Sequence, residues 1–140
     1  MALPERDERL TFGGAEVRVK VDGKTTGGAY SVIEEIDPLD TPLHVHERED
    51  ELFIVLEGEH VYTVGDQEFE AGPGDVVFGP RGVPHAQRRV VPRAGRELVV
   101  VSPAGFEGFL RGLAGADAAG ELGPDVYARV SAEYGITWLD

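Results

Sequence analysis

Val61-Tyr62-Thr63-Val64, Gly65-Asp66, Gln67-Glu68-Phe69-Glu70: residues 61–70 read as two strands around a two-residue turn. β-Branched and aromatic residues suit a pleated surface. Gly65-Asp66 supplies the backbone freedom that a tight hairpin needs. The same grammar extends in both directions. Downstream, Val76-Val77-Phe78 is a short apolar strand, and Gly79-Pro80-Arg81-Gly82-Val83-Pro84 can only turn. His85 to Val91 and Glu97 to Val101 follow as strands. Upstream, Glu51 to Leu56 ends at Glu57-Gly58, and Tyr30 to Ile36 ends at Asp37-Pro38. Glu16 to Val21 alternates strictly, and Asp22-Gly23-Lys24 reads as the turn of a hairpin. Strand signals dominate from about Leu10 to Ser102, which predicts an all-β sandwich or barrel.

The pattern changes after residue 102. Ser102-Pro103 reads as an N-cap followed by proline at the first helical position. Phe106, Phe109, Leu110 and Leu113 then fall at i, i+3, i+4 and i+7, one apolar helical face. A small-residue linker runs from Ala114 to Gly123. Pro124-Asp125 opens a second helix with Val126, Val130 and Tyr134 on one stripe and Gly135 as its stop. Residues 1–140 are expected to form a single domain: a barrel over about 10–102 and a helical tail over about 103–140.

Composition narrows the function classes. The 140 residues carry a net charge of −13, which argues against nucleic acid and against anionic membranes as partners. No cysteine is present, so a metal must be held by nitrogen and oxygen. The charged stretch Met1 to Arg9 is no secretory signal, and no apolar run approaches spanning length, so a cytoplasmic protein is expected.

Three of the four histidines fall in a suggestive arrangement. His44 and His46 at i, i+2 point to one face of a strand, with their side-chain roots roughly 6.7 Å apart. Both rings can reach one ion at about 2.1 Å. Glu51 lies an odd number of residues from His46, so an uninterrupted strand would turn it away. The charged run Glu47-Arg48-Glu49-Asp50 is expected to form a solvated hairpin turn that returns Glu51 beside the histidines on the neighbouring strand. His85 must arrive on another strand, with Gln87 and Arg89 on its face. Phe53 and Val55 share Glu51's face. These four are the expected pocket residues. His60 has the wrong spacing to join and reads as exposed, while Tyr30 and Tyr62 read as core. Gly72-Pro73-Gly74 lacks the lysine and following helix of a phosphate loop.

These residues resemble the cupin superfamily. Its first motif, His-x-His-x4-Glu-x6-Gly, matches His44, His46, Glu51 and Gly58. Its second, Gly-x5-Pro-x-Gly-x2-His-x3-Asn, matches Gly74, Pro80, Gly82 and His85, with Arg89 in place of the Asn. Pro38 also departs, standing where the family often has Gly. The resemblance implies a jelly-roll β-barrel with one or two C-terminal helices. It also implies one divalent metal held by His44, His46, Glu51 and His85. The chain further looks like small single-domain bacterial cupins related to quercetin dioxygenase.

Such a ligand set suits Fe, Mn, Ni, Cu or Zn and leaves coordination positions for substrate and O2 or water. The leading expectation is a metal-dependent dioxygenase acting on a small oxygenated organic substrate, with Glu51 a ligand or the catalytic base. A metal-dependent isomerase, cyclase or lyase is the alternative, and a non-enzymatic small-molecule binder a third. Apolar strand faces and the helix stripe suit a homodimer.

Overall fold

The computed structural model describes residues 7–90 and 95–139. In chain order the strands are β1 (Glu8–Phe12), β2 (Ala15–Val21), β3 (Ser31–Ile36), β4 (Thr41–His46), β5 (Asp50–Glu57) and β6 (His60–Val64). They continue with β7 (Gln67–Ala71), β8 (Val76–Gly79), β9 (His85–Arg89), β10 (Arg96–Ser102) and β11 (Ile136–Trp138). Helix α1 (Gly23–Thr26) follows β2, and α2 (Phe106–Ala118) and α3 (Pro124–Glu133) follow β10.

Every strand pair is antiparallel. A six-stranded sheet runs β1-β2-β3-β10-β5-β8, and a five-stranded sheet runs β11-β4-β9-β6-β7. From β3 onward the chain crosses between the sheets at every connection except β6–β7, and pairs such as β3 with β10 and β4 with β9 close the jelly roll. The expected hairpin at residues 61–70 is present, with Val64 opposite Gln67. Period-2 alternation sends Val17, Val19, Phe53, Val55, Val99 and Val101 into the core from the six-stranded sheet. The predicted helical face Phe109, Leu110 and Leu113 is buried on α2, and Val130 is buried on α3. Among the described residues no helix is long and apolar enough to cross a membrane.

Several local expectations are corrected. Asp22-Gly23-Lys24 turns the chain between the antiparallel β2 and β3, but as the start of a longer connection that contains α1 rather than as the whole turn. The Asp22 carboxylate accepts from the Lys24 and Thr25 backbone amides and caps the single turn of α1. Ser102 does not cap α2. It extends β10 opposite Asp50, and the helix begins three residues after Pro103. α2 starts without a side-chain cap, and Glu107 in its first turn ties it to α1, its carboxylate accepting from the amides of Gly105 and Gly23, both at 2.8 Å. Tyr30 is exposed rather than core. His60 is buried rather than exposed, with Nε2 at 3.2 Å from the Glu57 carbonyl. The strand expected to end at Val91 is described only to Arg89, and Val91 lies outside the described residues.

The chain also does not end in a helix. Gly135 adopts φ +70, the left-handed conformation that stops α3. The following Ile136-Thr137-Trp138 then adds a strand to the edge of β4. That strand lies directly against two of the three motif histidines: Ile136 opposite His46, and Trp138 opposite His44.

Candidate metal centre

His44 and His46 project from β4 towards the barrel interior, and His85 enters on β9 with its Cα opposite His44. The paired ring centroids are 4.4 Å apart for His44–His85, 5.2 Å for His44–His46 and 5.3 Å for His46–His85. One nitrogen from each ring lies within 4.8 Å of the others. All three rings are buried, as is Glu51.

Glu51 reaches the cluster by a route other than the expected hairpin. The turn after His46 carries the chain out of the five-stranded sheet and into the six-stranded one. β4 and β5 are not hydrogen-bonded neighbours. Glu51 instead faces the histidines across the barrel, its own partners being Gly79 and Val101. Its Oε2 lies 2.8 Å from His85 Nε2 and 3.6 Å from His46 Nε2. Gly79 keeps the space beside this contact clear, since a Cβ there would come to 3.3 Å of the Phe53 ring.

The hydrogen bonds around the rings determine which nitrogen is free. His44 Nδ1 lies 2.8 Å from the Pro42 carbonyl oxygen, which can only accept, so Nδ1 carries the proton. His46 Nδ1 lies 2.6 Å from Glu49 Oε1, with the same consequence. In both rings the Nε2 lone pair is left pointing at the cluster. Such outer hydrogen bonds orient metal-ligating imidazoles and raise their basicity. Glu49 therefore belongs to the site, and it is buried, unlike the solvated turn expected of the run 47–50. The charged neighbours hid it.

Electrostatics follow from burial and crowding. Burial, then the proximity of His85, pushes His44 down to about 4, so it is neutral at ordinary pH. Burial opposes protonation of His46 as well, but the Glu49 hydrogen bond and the charges of Glu51 and Glu49 outweigh it and raise its pKa. Burial would raise Glu51, yet the His85 contact and the proximity of the His46 and His85 imidazoles hold its carboxyl below the usual range.

Glu51 Oε2 and His85 Nδ1 are buried without a well-aligned hydrogen-bond partner. Two oriented Nε2 lone pairs, a third imidazole and an ionised carboxylate with an unsatisfied oxygen form a nitrogen–oxygen donor set that fits a divalent ion.

A cavity of about 240 Å³ opens beside this group. His44, His46, Glu51 and His85 line it together with Phe53, Gln87, Phe106, Trp138 and Leu110. Of the four expected pocket residues, Phe53 and Gln87 face it. Val55 packs into the hydrophobic core instead. Arg89 is not part of the lining; its backbone amide donates to Asp40 and its Nε is buried without a partner. Trp138 lies with its ring centroid 4.8 Å from that of His44, and Phe106 5.1 Å from His46. The alternating Ile136-Thr137-Trp138 was the available signal for this wall, but the helical stop at Gly135 masked it.

The family model of the cupin domain matches residues 32–101. The chain belongs to the cupins. Solved structures agree on the fold. KdgF from a Halomonas species is 14% identical with a TM-score of 0.65, covering 77% of this chain and 96% of that one. An RmlC-like cupin from Shewanella frigidimarina is 20% identical with a TM-score of 0.65, covering 77% and 94%. Pac13, described as a nucleoside dehydratase and also solved as the Streptomyces protein with uridine, is 18% identical with a TM-score of 0.61, covering 77% and 85%. At these identities the likeness is one of fold. No curated protein matches the chain. The cupin assignment stands on the family match; the narrower likeness to quercetin dioxygenase gains no support from it.

Proposed function

We propose that this cupin is a divalent-metal-dependent enzyme acting on a small, largely apolar organic molecule that carries oxygen substituents, with dioxygenase chemistry as the first reading. The observation that carries it is the meeting of His44, His46, His85 and Glu51 at one end of an apolar cavity, with the Nε2 atoms of His44 and His46 freed by hydrogen bonds on their far sides. His44, His46, His85 and Glu51 would hold the ion. Polarisation of a substrate oxygen, and electron transfer to O2 where the ion is redox-active, is the chemistry such an ion supplies. Trp138, Phe106 and Phe53 exclude water from the cavity and offer flat apolar surface to a ring or enol. Glu51 is the residue best placed to take a proton from a substrate hydroxyl.

Metal analysis of freshly purified protein tests the first half. Oxygen uptake with a panel of enols and phenols, on protein loaded with Fe, Mn, Ni or Cu, tests the second. Stoichiometric metal and substrate-dependent oxygen uptake are expected. Protein that takes up no divalent ion defeats the reading altogether.

A second reading, a metal-dependent lyase or dehydratase that uses no O2, is favoured by one observation: further carboxyl groups, Glu35 and Glu97, stand inside the barrel near the cavity. The similarly folded Pac13 is described as a dehydratase. Full turnover under anaerobic conditions with Zn selects this reading over the first.

A second copy of the chain is proposed as partner. Leu52, Phe78, Ile54 and Val76 pair across β5 and β8 on the outer face of the six-stranded sheet, where Leu52, Val76 and Phe78 are exposed. A self-matching apolar face of this kind suits a twofold contact.

A further inference from the structure

Inside the barrel lies a second polar group that the metal site does not use. Glu35 on β3 and Glu97 on β10 are direct cross-strand partners. Both point inward, with Val17 opposite Glu35 on β2 and Val55 opposite Glu97 on β5. Tyr62 on β6 and Gln87 on β9, themselves cross-strand partners, face them from the other sheet. Glu97 is 0% exposed. Glu35 and Gln87 line the cavity that holds His44, His46, Glu51 and His85.

The hydrogen-bond inventory is short by one proton. The Tyr62 hydroxyl donates to Glu97 Oε1, and Gln87 Nε2 donates to Glu35 Oε1 at 3.2 Å. Glu97 Oε2 has no donor. The cations nearby are engaged elsewhere: Lys20 and Arg96 pair with Glu34, the residue before Glu35. Arg89, two residues along from Gln87, has no ion pair among the described residues and a buried Nε without a partner. His46 feels the charge of Glu35 only at a distance. Among the described residues no cation lies between these two facing carboxyl groups, and such a pair cannot both be ionised in a dry interior. A proton on Glu97 Oε2 makes Glu97 a donor towards Glu35 and removes the deficit. Burial, followed by the hydrogen bond and charge of Glu35, raises Glu97 well above the ordinary carboxyl range, in agreement with the geometry.

One further atom points to a ligand. Gln87 is 9% exposed, lines the cavity, and its Oε1 has no partner. Turning the amide over would set its oxygen against the Glu35 carboxylate, so the orientation is determined by that neighbour. A buried carbonyl oxygen on a cavity wall calls for a donor such as a ligand hydroxyl.

We propose that Glu35 and Glu97 hold one proton between them at neutral pH, and that this carboxyl pair and Gln87 Oε1 form the hydrogen-bonding wall of the cavity for a hydroxyl-bearing ligand, whose O–H donates to Gln87 Oε1 beside the Glu35 carboxyl. No covalent bond is broken: the proton stays within the carboxyl pair, which keeps a single negative charge, and the bound ligand changes only the hydrogen bonding around it. The inference rests on the reading of the cavity as a ligand site.

Infrared difference spectroscopy on the full chain with 13C-labelled glutamate tests it, since protonated and ionised carboxyl groups absorb separately. The wild-type protein is expected to show one protonated glutamate at neutral pH. That band is lost in E97Q and also in E35Q, where the amide satisfies the remaining carboxylate. On transfer to D2O it shifts faster than the core amides exchange, because Glu35 opens on the cavity. Saturating catechol, an aromatic ring with two hydroxyls, displaces it. Absence of the band in the wild type, its survival in both variants, exchange only at the rate of the core amides, or a band that catechol leaves unmoved overturns the proposal. The wild-type measurement stands even if a variant fails to fold. Metal content of the same samples separates the two readings: a shared proton without bound metal defeats the metal enzyme and not the carboxyl pair.

Discussion

His46 Nδ1 and Glu49 Oε1 are 2.6 Å apart and both are buried, so a residue three positions along the chain sets the tautomer of a candidate ligand. The bond holds the ring so that Nε2 faces Glu51 and the other imidazoles. Replacement of Glu49 by Ala leaves His46 free to rotate and to change tautomer. Titration calorimetry with Zn should show affinity reduced roughly 10–100-fold while the circular dichroism spectrum is retained. Unchanged affinity would show that His46 needs no such support.

Ion binding should stabilise the folded chain, because the four donors converge only when both sheets are in place. At about 100 times Kd the gain is roughly 2.7 kcal/mol, or a Tm rise of roughly 10 °C for a domain of this size. EDTA should reverse it. H44A and H85A should show no such rise, as followed by scanning calorimetry with and without Zn.

Trp138 closes the cavity beside His44, and its Nε1 donates to Ser131 Oγ at 2.8 Å. W138A removes the ring and leaves the serine hydroxyl without its donor. The ring is partly exposed, so a loss of roughly 1–3 kcal/mol in urea denaturation is expected. W138F should recover most of the stability but not the contribution of the serine bond.

Acid should weaken the junction between α1 and α2. Burial alone would raise the Glu107 carboxyl, but its bonds from the backbone amides of Gly23 and Gly105 lower it overall. A carboxyl depressed in the folded state stabilises fully above its unfolded pKa, and that contribution disappears as pH falls through the folded value. Urea midpoints measured from neutral pH downward should therefore fall. In E107Q the midpoint should start lower and depend less on pH; an identical slope in both proteins would remove Glu107 from the account.

The outer face of β5 and β8 should mediate self-association. Light scattering during size exclusion is expected to report a dimer for the wild type and a monomer for L52E and F78E, with the secondary structure intact. A monomeric wild type ends the proposal.

Much of the fold is legible in local pattern. Alternation over Glu16 to Val21 and Val61 to Glu70 gives strands, and the i, i+3, i+4, i+7 spacing from Phe106 gives α2, because each depends only on which way successive side chains point. The trio His44, His46 and His85 is legible for the same reason, helped by motif spacing. Glu51 does meet the histidines, but across the barrel and not along a hairpin. A charged run shows that the chain turns, not which sheet it turns into.

What the amino-acid order carries by itself is the β class, the helical face and the histidines that meet in the barrel, since these follow from periodicity and from chemistry carried by single side chains. Only the tertiary structure placed Glu51 across the barrel, Glu49 behind His46, Trp138 over His44 and Glu35 against Glu97. Those relations depend on the register between strands and on the packing of the two sheets. For strands far apart in the chain, register is chosen by the balance of all inward-facing contacts together, and no short stretch of sequence contains that sum.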